Sequence, residues 1–234
     1  MSLVESKSNR KILAEEAYER IRYELFNFLL LPGDRFTEQQ LCDRLSVSRT
    51  PVRQALFRLQ QEGHVEVLFR NGWRVLPIDF KKFDALYDFR VLIETEVAQR
   101  LCEGRISGDI AVSNQLLQEL VDFWLVPKAS RIYDAPAVSR QDEEFHCMIV
   151  AAAGNPVMQN THREITERIR VIRKLDFTYQ PRIDATYDEH ARILKAILDK
   201  RSEQARLLLK AHIESSQIEV RKLTLHQLHL AREI

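Results

Sequence analysis

The sequence predicts a mainly α-helical protein, with an N-terminal winged helix-turn-helix followed by a C-terminal all-helical bundle. Three observations predict it. Apolar residues recur at helical spacing along most of the chain. A run of cap and turn residues, Leu45-Ser46-Val47-Ser48-Arg49-Thr50-Pro51, separates two short amphipathic segments near the start. Only residues 65–76 read as a strand, a turn and a strand. The pattern changes near Pro77-Ile78-Asp79, so the chain is expected to divide into residues 1–77, the first few flexible, and residues 78–234.

The elements follow in order. Residues 12–30 place Leu13, Ala17, Ile21, Leu25 and Phe28 on one helical face, and Leu31-Pro32-Gly33-Asp34 breaks that helix. Thr37 caps a second helix, with Gln40 three residues on to complete a capping box. Ser48 caps a third, residues 49–62, in which Pro51 is tolerated because first-turn N–H groups lack intrahelical partners. Gly63 ends it. Residues 65–69 and 73–76 are hairpin strands around Arg70-Asn71-Gly72. Beyond Pro77 the helical segments are 83–102, 109–125, 139–153, 156–176, 187–198 and 203–228. Loops are expected at 126–137, with Pro127 and Pro136, and at 177–186, around Pro181. Gly154-Asn155-Pro156 joins a stop signal to a start signal. Asp199-Lys200-Arg201-Ser202 is a tight turn.

Bulk properties narrow the function. The 234 residues are 45% hydrophobic and 29% charged, enough for real cores and unlike a disordered chain. Net charge is only +1, so any nucleic-acid surface is local. Such a patch runs through Arg44, Arg49, Arg53, Arg58, Arg70 and Arg74, opposed only by Glu62 and Glu66. Cys42, Cys102 and Cys147 are scattered within apolar patterns, which points to packing in a reducing cytosol. The polar start carries no signal peptide and no apolar run is long enough to span a bilayer, so a cytoplasmic protein is expected.

Arg49, Thr50 and Arg53 fall in the opening turns of the third helix. Two helices, a tight turn and polar side chains at the second N-terminus form the arrangement whose later helix enters the major groove of DNA. DNA binding is therefore the expected function.

The second part holds a candidate metal set. Asp142 and His146 are four apart and share a helical face. His190 precedes Arg201 by eleven positions and His212 follows it by eleven. In an antiparallel hairpin turning at Arg201, equal rises bring these two imidazoles level. Three imidazoles and a carboxylate suit zinc, nickel or manganese. Single helical histidines are more often surface or core residues, and His64, His162, His226 and His229 receive no site.

The segment Thr37-Glu38-Gln39-Gln40-Leu41 through Ser48-Arg49-Thr50-Pro51-Val52-Arg53-Gln54-Ala55-Leu56, closing with Glu62-Gly63 and Asn71-Gly72, resembles the GntR family of bacterial transcription regulators. The second part resembles the FadR-like branch with its metal-containing (FCD-type) helical domain. The strings that carry this are Phe89-Arg90-Val91-Leu92-Ile93-Glu94, Asp142-Glu143-Glu144-Phe145-His146, Ala152-Ala153-Gly154-Asn155-Pro156, Glu189-His190 and Ala211-His212-Ile213.

The resemblance implies a homodimer on a short palindromic operator, with affinity set by a small carboxylate metabolite bound in the helical domain. It places base or phosphate contacts on Arg49, Thr50, Arg53 and wing-tip Gly72, and metal ligation on Asp142, His146, His190 and His212. Ser48 and Thr50 suit phosphates at a helix N-terminus. Many relatives carry Arg where Gln39 stands, and Gln39 offers an adenine or phosphate contact instead. Arg90 matches a family Arg and is expected to hold the effector carboxylate. Arg170 and Arg173 are weaker candidates and read better as exposed ion-pairing residues. Trp73 is expected to pack within the wing. The expected protein is a regulator, most simply a repressor, and not an enzyme. The alternatives are a metalloenzyme using the Asp/His set and a purely structural metal.

Overall fold

The computed structural model of the chain describes residues 3–26, 29–173 and 180–230. The chain divides into two compact units, Met1–Asp79 and Phe80–Ile234.

The first unit contains α1 (Leu3–Phe26), β1 (Arg35–Phe36), α2 (Glu38–Leu45), α3 (Arg49–Gln61), β2 (Val65–Leu68) and β3 (Gly72–Val75). Helix α1 begins well before residue 12, because no Gly or Pro interrupts its polar start. Phe28, expected in this helix, lies outside the described residues. Helix α1 packs on α3, burying Ala17, Ile21 and Leu25 with Val52, Ala55, Leu56 and Leu59. Asp34 closes the following turn by accepting from the Leu31 amide at 2.8 Å.

The capping box forms as expected. Thr37 Oγ1 accepts from the Gln40 amide at 3.2 Å, and Gln40 Oε1 accepts from the Thr37 amide at 2.8 Å. Ser48 stands at the N-cap of α3, but its side chain makes no capping bond. Pro51 occupies the third helical position and has no N–H to give, which removes one of the two amides a cap side chain ordinarily bonds.

Strand β1 was not expected, since two residues carry no legible alternation. It pairs with β3 (Arg35↔Arg74, Phe36↔Trp73), while β2 pairs on the other side (Val65↔Val75, Leu68↔Gly72), giving an antiparallel order β1-β3-β2. Trp73 is buried as a packing residue. Gly72 has φ +78°, and a Cβ there would lie 2.5 Å from the Phe36 carbonyl oxygen. Closeness to β1 alone thus requires glycine.

The second unit contains α4 (Phe80–Cys102), α5 (Ile110–Trp124), a single 3₁₀ turn (Lys128–Ser130), α6 (Ala135–Ala152), α7 (Pro156–Arg173), α8 (Gln180–Leu198) and α9 (Ser202–Leu230). The loop expected at 126–137 is shorter, because Asp134 caps α6 by accepting from the Ala137 amide at 2.9 Å. The loop expected at 177–186 is helical from Gln180 onward, with Pro181 in the first turn, where it costs no hydrogen bond. Residues 174–179 lie outside the described set. Helix α4 is the hub: it packs against α6, α7, α8 and α9. It accordingly buries Phe83, Tyr87, Ile93, Val97 and Leu101, and also Arg90 and Glu94.

Gly154 (φ +70°) ends α6, and Asn155 Oδ1 accepts from the Val157 amide at 3.0 Å to start α7. A Cβ on Gly154 would fall 2.2 Å from the backbone nitrogen of Gly108. The Ser107 amide donates to the Ala153 carbonyl at 3.0 Å beside it, so the α4–α5 and α6–α7 turns are fastened backbone to backbone. Among the described residues no helix is long and apolar enough to cross a membrane.

Candidate nucleic-acid interface and metal centre

Ser48, Arg49, Thr50 and Arg53 are all exposed at the start of α3. The two arginines are already engaged by α2. Arg53 donates from Nε to Glu38 Oε1 at 2.9 Å and from Nη2 to Glu38 Oε2 at 2.7 Å. The hydrogen bond from Arg53 holds the Glu38 carboxyl below its usual range, and the Trp73 indole lowers it further. Arg49 donates from Nε and Nη2 to Gln39 Oε1 at 3.2 and 2.8 Å. Gln39 in turn donates from Nε2 to Asp43 at 2.8 Å. Other arginines of the basic patch have structural partners: Arg58 lies 3.6 Å over the Tyr18 ring and pairs with Glu15 and Glu62, and Arg44 pairs with Glu24. Gly72 opens β3 at the end of the wing turn.

In the second unit, Asp142 and His146 of α6 meet His190 of α8 and His212 of α9. One ligand atom from each lies within 4.8 Å of all the others, and all four residues are buried. His190 Nε2 is 3.2 Å from His212 Nε2 and 3.3 Å from Asp142 Oδ1. His212 Nε2 is 3.3 Å from His146 Nε2, which is 3.7 Å from Asp142 Oδ1. Ligands bound at about 2.1 Å around one ion stand roughly 3–4 Å apart, so this set fits a small divalent ion.

The surroundings fix which nitrogen faces inward. His146 Nδ1 bonds Glu94 Oε2, and His212 Nδ1 bonds Glu189 Oε2 at 2.6 Å. An acceptor on Nδ1 holds the proton there and leaves the Nε2 lone pair facing the cluster. His190 is held differently. Its ring stacks on Phe145 with centroids 3.6 Å apart and meets the edge of Trp124 at 4.2 Å. Burial holds His190 well below, and His212 below, the usual imidazole pKa, which favours the neutral, ligating form. Burial works against ionised Asp142, but the adjoining Arg173 charge and bonds from His146 and His190 keep its carboxyl well below the usual range.

Several participants were not identified from sequence. Glu94 also accepts from Arg90 Nε at 2.7 Å and bonds His162 Nε2 at 2.9 Å. His162, assigned no site from sequence, is thus buried in this network. Arg182 pairs with Glu189 at 3.1 Å. Arg173, expected as an exposed ion-pairing residue, is instead buried and bonded to Asp142. The spacing of α7 residues gave no hint of its reach to α6. Arg170 is partly exposed and pairs with Glu143. Arg90 is buried, and among the described residues its Nη1 meets no hydrogen-bond partner, nor does Arg173 Nη1.

A winged helix led by exposed arginines, followed by a helical unit with a buried cluster of potential metal ligands, is the architecture of a DNA-binding regulator. Residues 13–75 match the family of bacterial regulatory proteins called gntR, and residues 85–215 match the FCD domain. The chain is 31% identical to the Nta operon transcriptional regulator of Aminobacter aminovorans, covering 78% of this chain and 82% of that one. It is 32% identical to the gluconate operon transcriptional repressor of Bacillus subtilis, covering 76% and 69%. A solved GntR regulator from Rhodococcus sp. RHA1 shares the fold, with a TM-score of 0.62 at 19% identity over 89% of this chain and 97% of that one. The chain belongs to the GntR family, carries an FCD domain, and is a transcriptional regulator.

Proposed function

We propose that the protein is a metabolite-responsive repressor. It binds a palindromic operator as a homodimer and releases it when a small carboxylate enters the pocket formed around Asp142, His146, His190 and His212. The observation that carries this reading is the buried convergence of those four ligand atoms within 4.8 Å. A bound divalent ion such as zinc, nickel or manganese would supply a positive charge with coordination positions open to a carboxylate.

The protein's own residues do the rest. Glu94 and Glu189 hold the imidazoles in the ligating orientation. Arg90 supplies a buried guanidinium whose Nη1 has no partner among the described residues, suited to an effector's oxygen. In the first unit Arg49 and Arg53 read bases, Ser48 and Thr50 contact phosphates, and the wing follows the groove at Gly72. Effector binding favours a conformation whose half-site spacing no longer matches the operator. Repression follows the name of the gluconate relative. The enzyme alternative gains no support, since Glu94 and Glu189, the carboxylates nearest the cluster, are both occupied by Arg and His partners.

The test begins with a duplex selected by the full-length protein from a randomised pool. Anisotropy should show specific binding at physiological salt, and Arg49→Ala with Arg53→Ala should abolish the preference for that duplex. Zn²⁺ should bind the parent and not Asp142→Ala in titration calorimetry. A pool from which nothing is enriched would sink the DNA reading, and equal Zn²⁺ binding by both proteins would sink the metal reading.

A further inference from the structure

We propose that Glu38 and Gln39 of α2 are positioning residues that aim the two reading arginines, and that Gln39 reads no base itself. The inference rests on the assignment of Arg49 and Arg53 as base contacts and deepens it.

A guanidinium presents two usable pairs of donors: a side edge, Nε with Nη2, and an end edge, Nη1 with Nη2. Glu38 occupies the side edge of Arg53 with both carboxylate oxygens, at 2.9 and 2.7 Å. Gln39 Oε1 occupies the side edge of Arg49, at 3.2 and 2.8 Å. Among the described residues no acceptor meets Nη1 of either arginine. The end edges, which match O6 and N7 of guanine, therefore remain available. Fixing the side edge also removes side-chain freedom before DNA arrives, so less is lost on binding.

Gln39 is held at both ends of its amide. Arg49 demands its oxygen, and Asp43 accepts from its nitrogen at 2.8 Å. A bidentate contact to adenine needs that oxygen as acceptor, and both of its lone pairs already take bonds from Arg49. The negative charge of Glu38 on a face that approaches phosphates opposes indiscriminate binding. The α2 pair thus sharpens discrimination twice, by orientation for the right sequence and, at Glu38, by repulsion for all sequences.

The experiment compares the parent with Glu38→Ala, Glu38→Gln and Gln39→Leu in the full chain, against the duplex enriched by the parent and a scrambled duplex. Glu38→Ala should hold or strengthen scrambled binding while the enriched-to-scrambled ratio falls about tenfold, within the span that a bidentate arginine contact provides. Gln39→Leu should lower that ratio about tenfold through preference at one guanine position. Glu38→Gln, which keeps an acceptor for Arg53, should recover part of the ratio. Melting temperatures identify any variant that fails to fold. A merely structural role predicts that both affinities fall together, and that outcome overturns the proposal, as does an unchanged ratio. If Arg49→Ala and Arg53→Ala also leave the ratio unchanged, the base-reading assignment itself fails. If they abolish it while the α2 variants do not, only the positioning role fails.

Discussion

At the residue scale, the carboxylates behind the imidazoles make the cluster more than four donors in proximity. Outer-shell partners of this kind typically contribute about 10–100-fold to metal affinity. Glu189→Ala removes the acceptor of His212 Nδ1, and Zn²⁺ affinity in titration calorimetry should fall by that order. Glu189 lies at the edge of the site, with 22% of its side chain exposed, so the fold should tolerate the change. Unaltered affinity would mean that tautomer control at His212 is unimportant. The sequence made Asp142, His146, His190 and His212 legible because helical spacing and hairpin symmetry act on neighbouring turns. It left Glu94 without a role and misread Arg173 as exposed, because each reaches another helix from far along the chain, and no periodicity records such a meeting. Ser48 shows the opposite limit: cap position was legible, but the effect of Pro51 on its hydroxyl appeared only with the geometry.

At the element scale, helices were legible where apolar period and caps agreed, as at Thr37 with Gln40 and at Gly154-Asn155-Pro156. They were misjudged where proline was read as a break. Both Pro136 and Pro181 sit in first turns, where their missing N–H is harmless, so α6 and α8 start earlier than the prolines suggested. Strand β1 was invisible because its two residues are held by β3 rather than by their own pattern. The joint between Gly108 and Gly154 gives this scale its prediction. Gly154→Ala adds a strained φ of +70° and a backbone collision, and should destabilise the second unit by about 2–4 kcal/mol in urea unfolding. A loss of no more than about 1 kcal/mol, the low end of what a left-handed φ alone costs an L-residue, would show that the turns separate readily.

At the scale of the whole molecule, the cluster draws on α6, α8 and α9, and Glu94 adds α4. An ion that binds only the folded state stabilises it by about 2.7 kcal/mol at a hundredfold excess over its Kd. For a domain of this size each kcal/mol shifts Tm by about 2–4 °C, so Zn²⁺ should raise Tm by about 5–10 °C and EDTA reverse it. Asp142→Ala should show no such response; a shift equal to the parent's would locate the ion elsewhere. The helical class was visible in the sequence, because it depends on composition and period summed over many residues.

All the candidate DNA contacts lie within Met1–Asp79, and all the candidate ligands within Phe80–Ile234. No candidate residue belongs to both sets. On the proposed reading, substitutions in the first unit would retune the promoters recognised without touching the ligand cluster, and a crossover near residue 79 would exchange one trait while leaving the other whole.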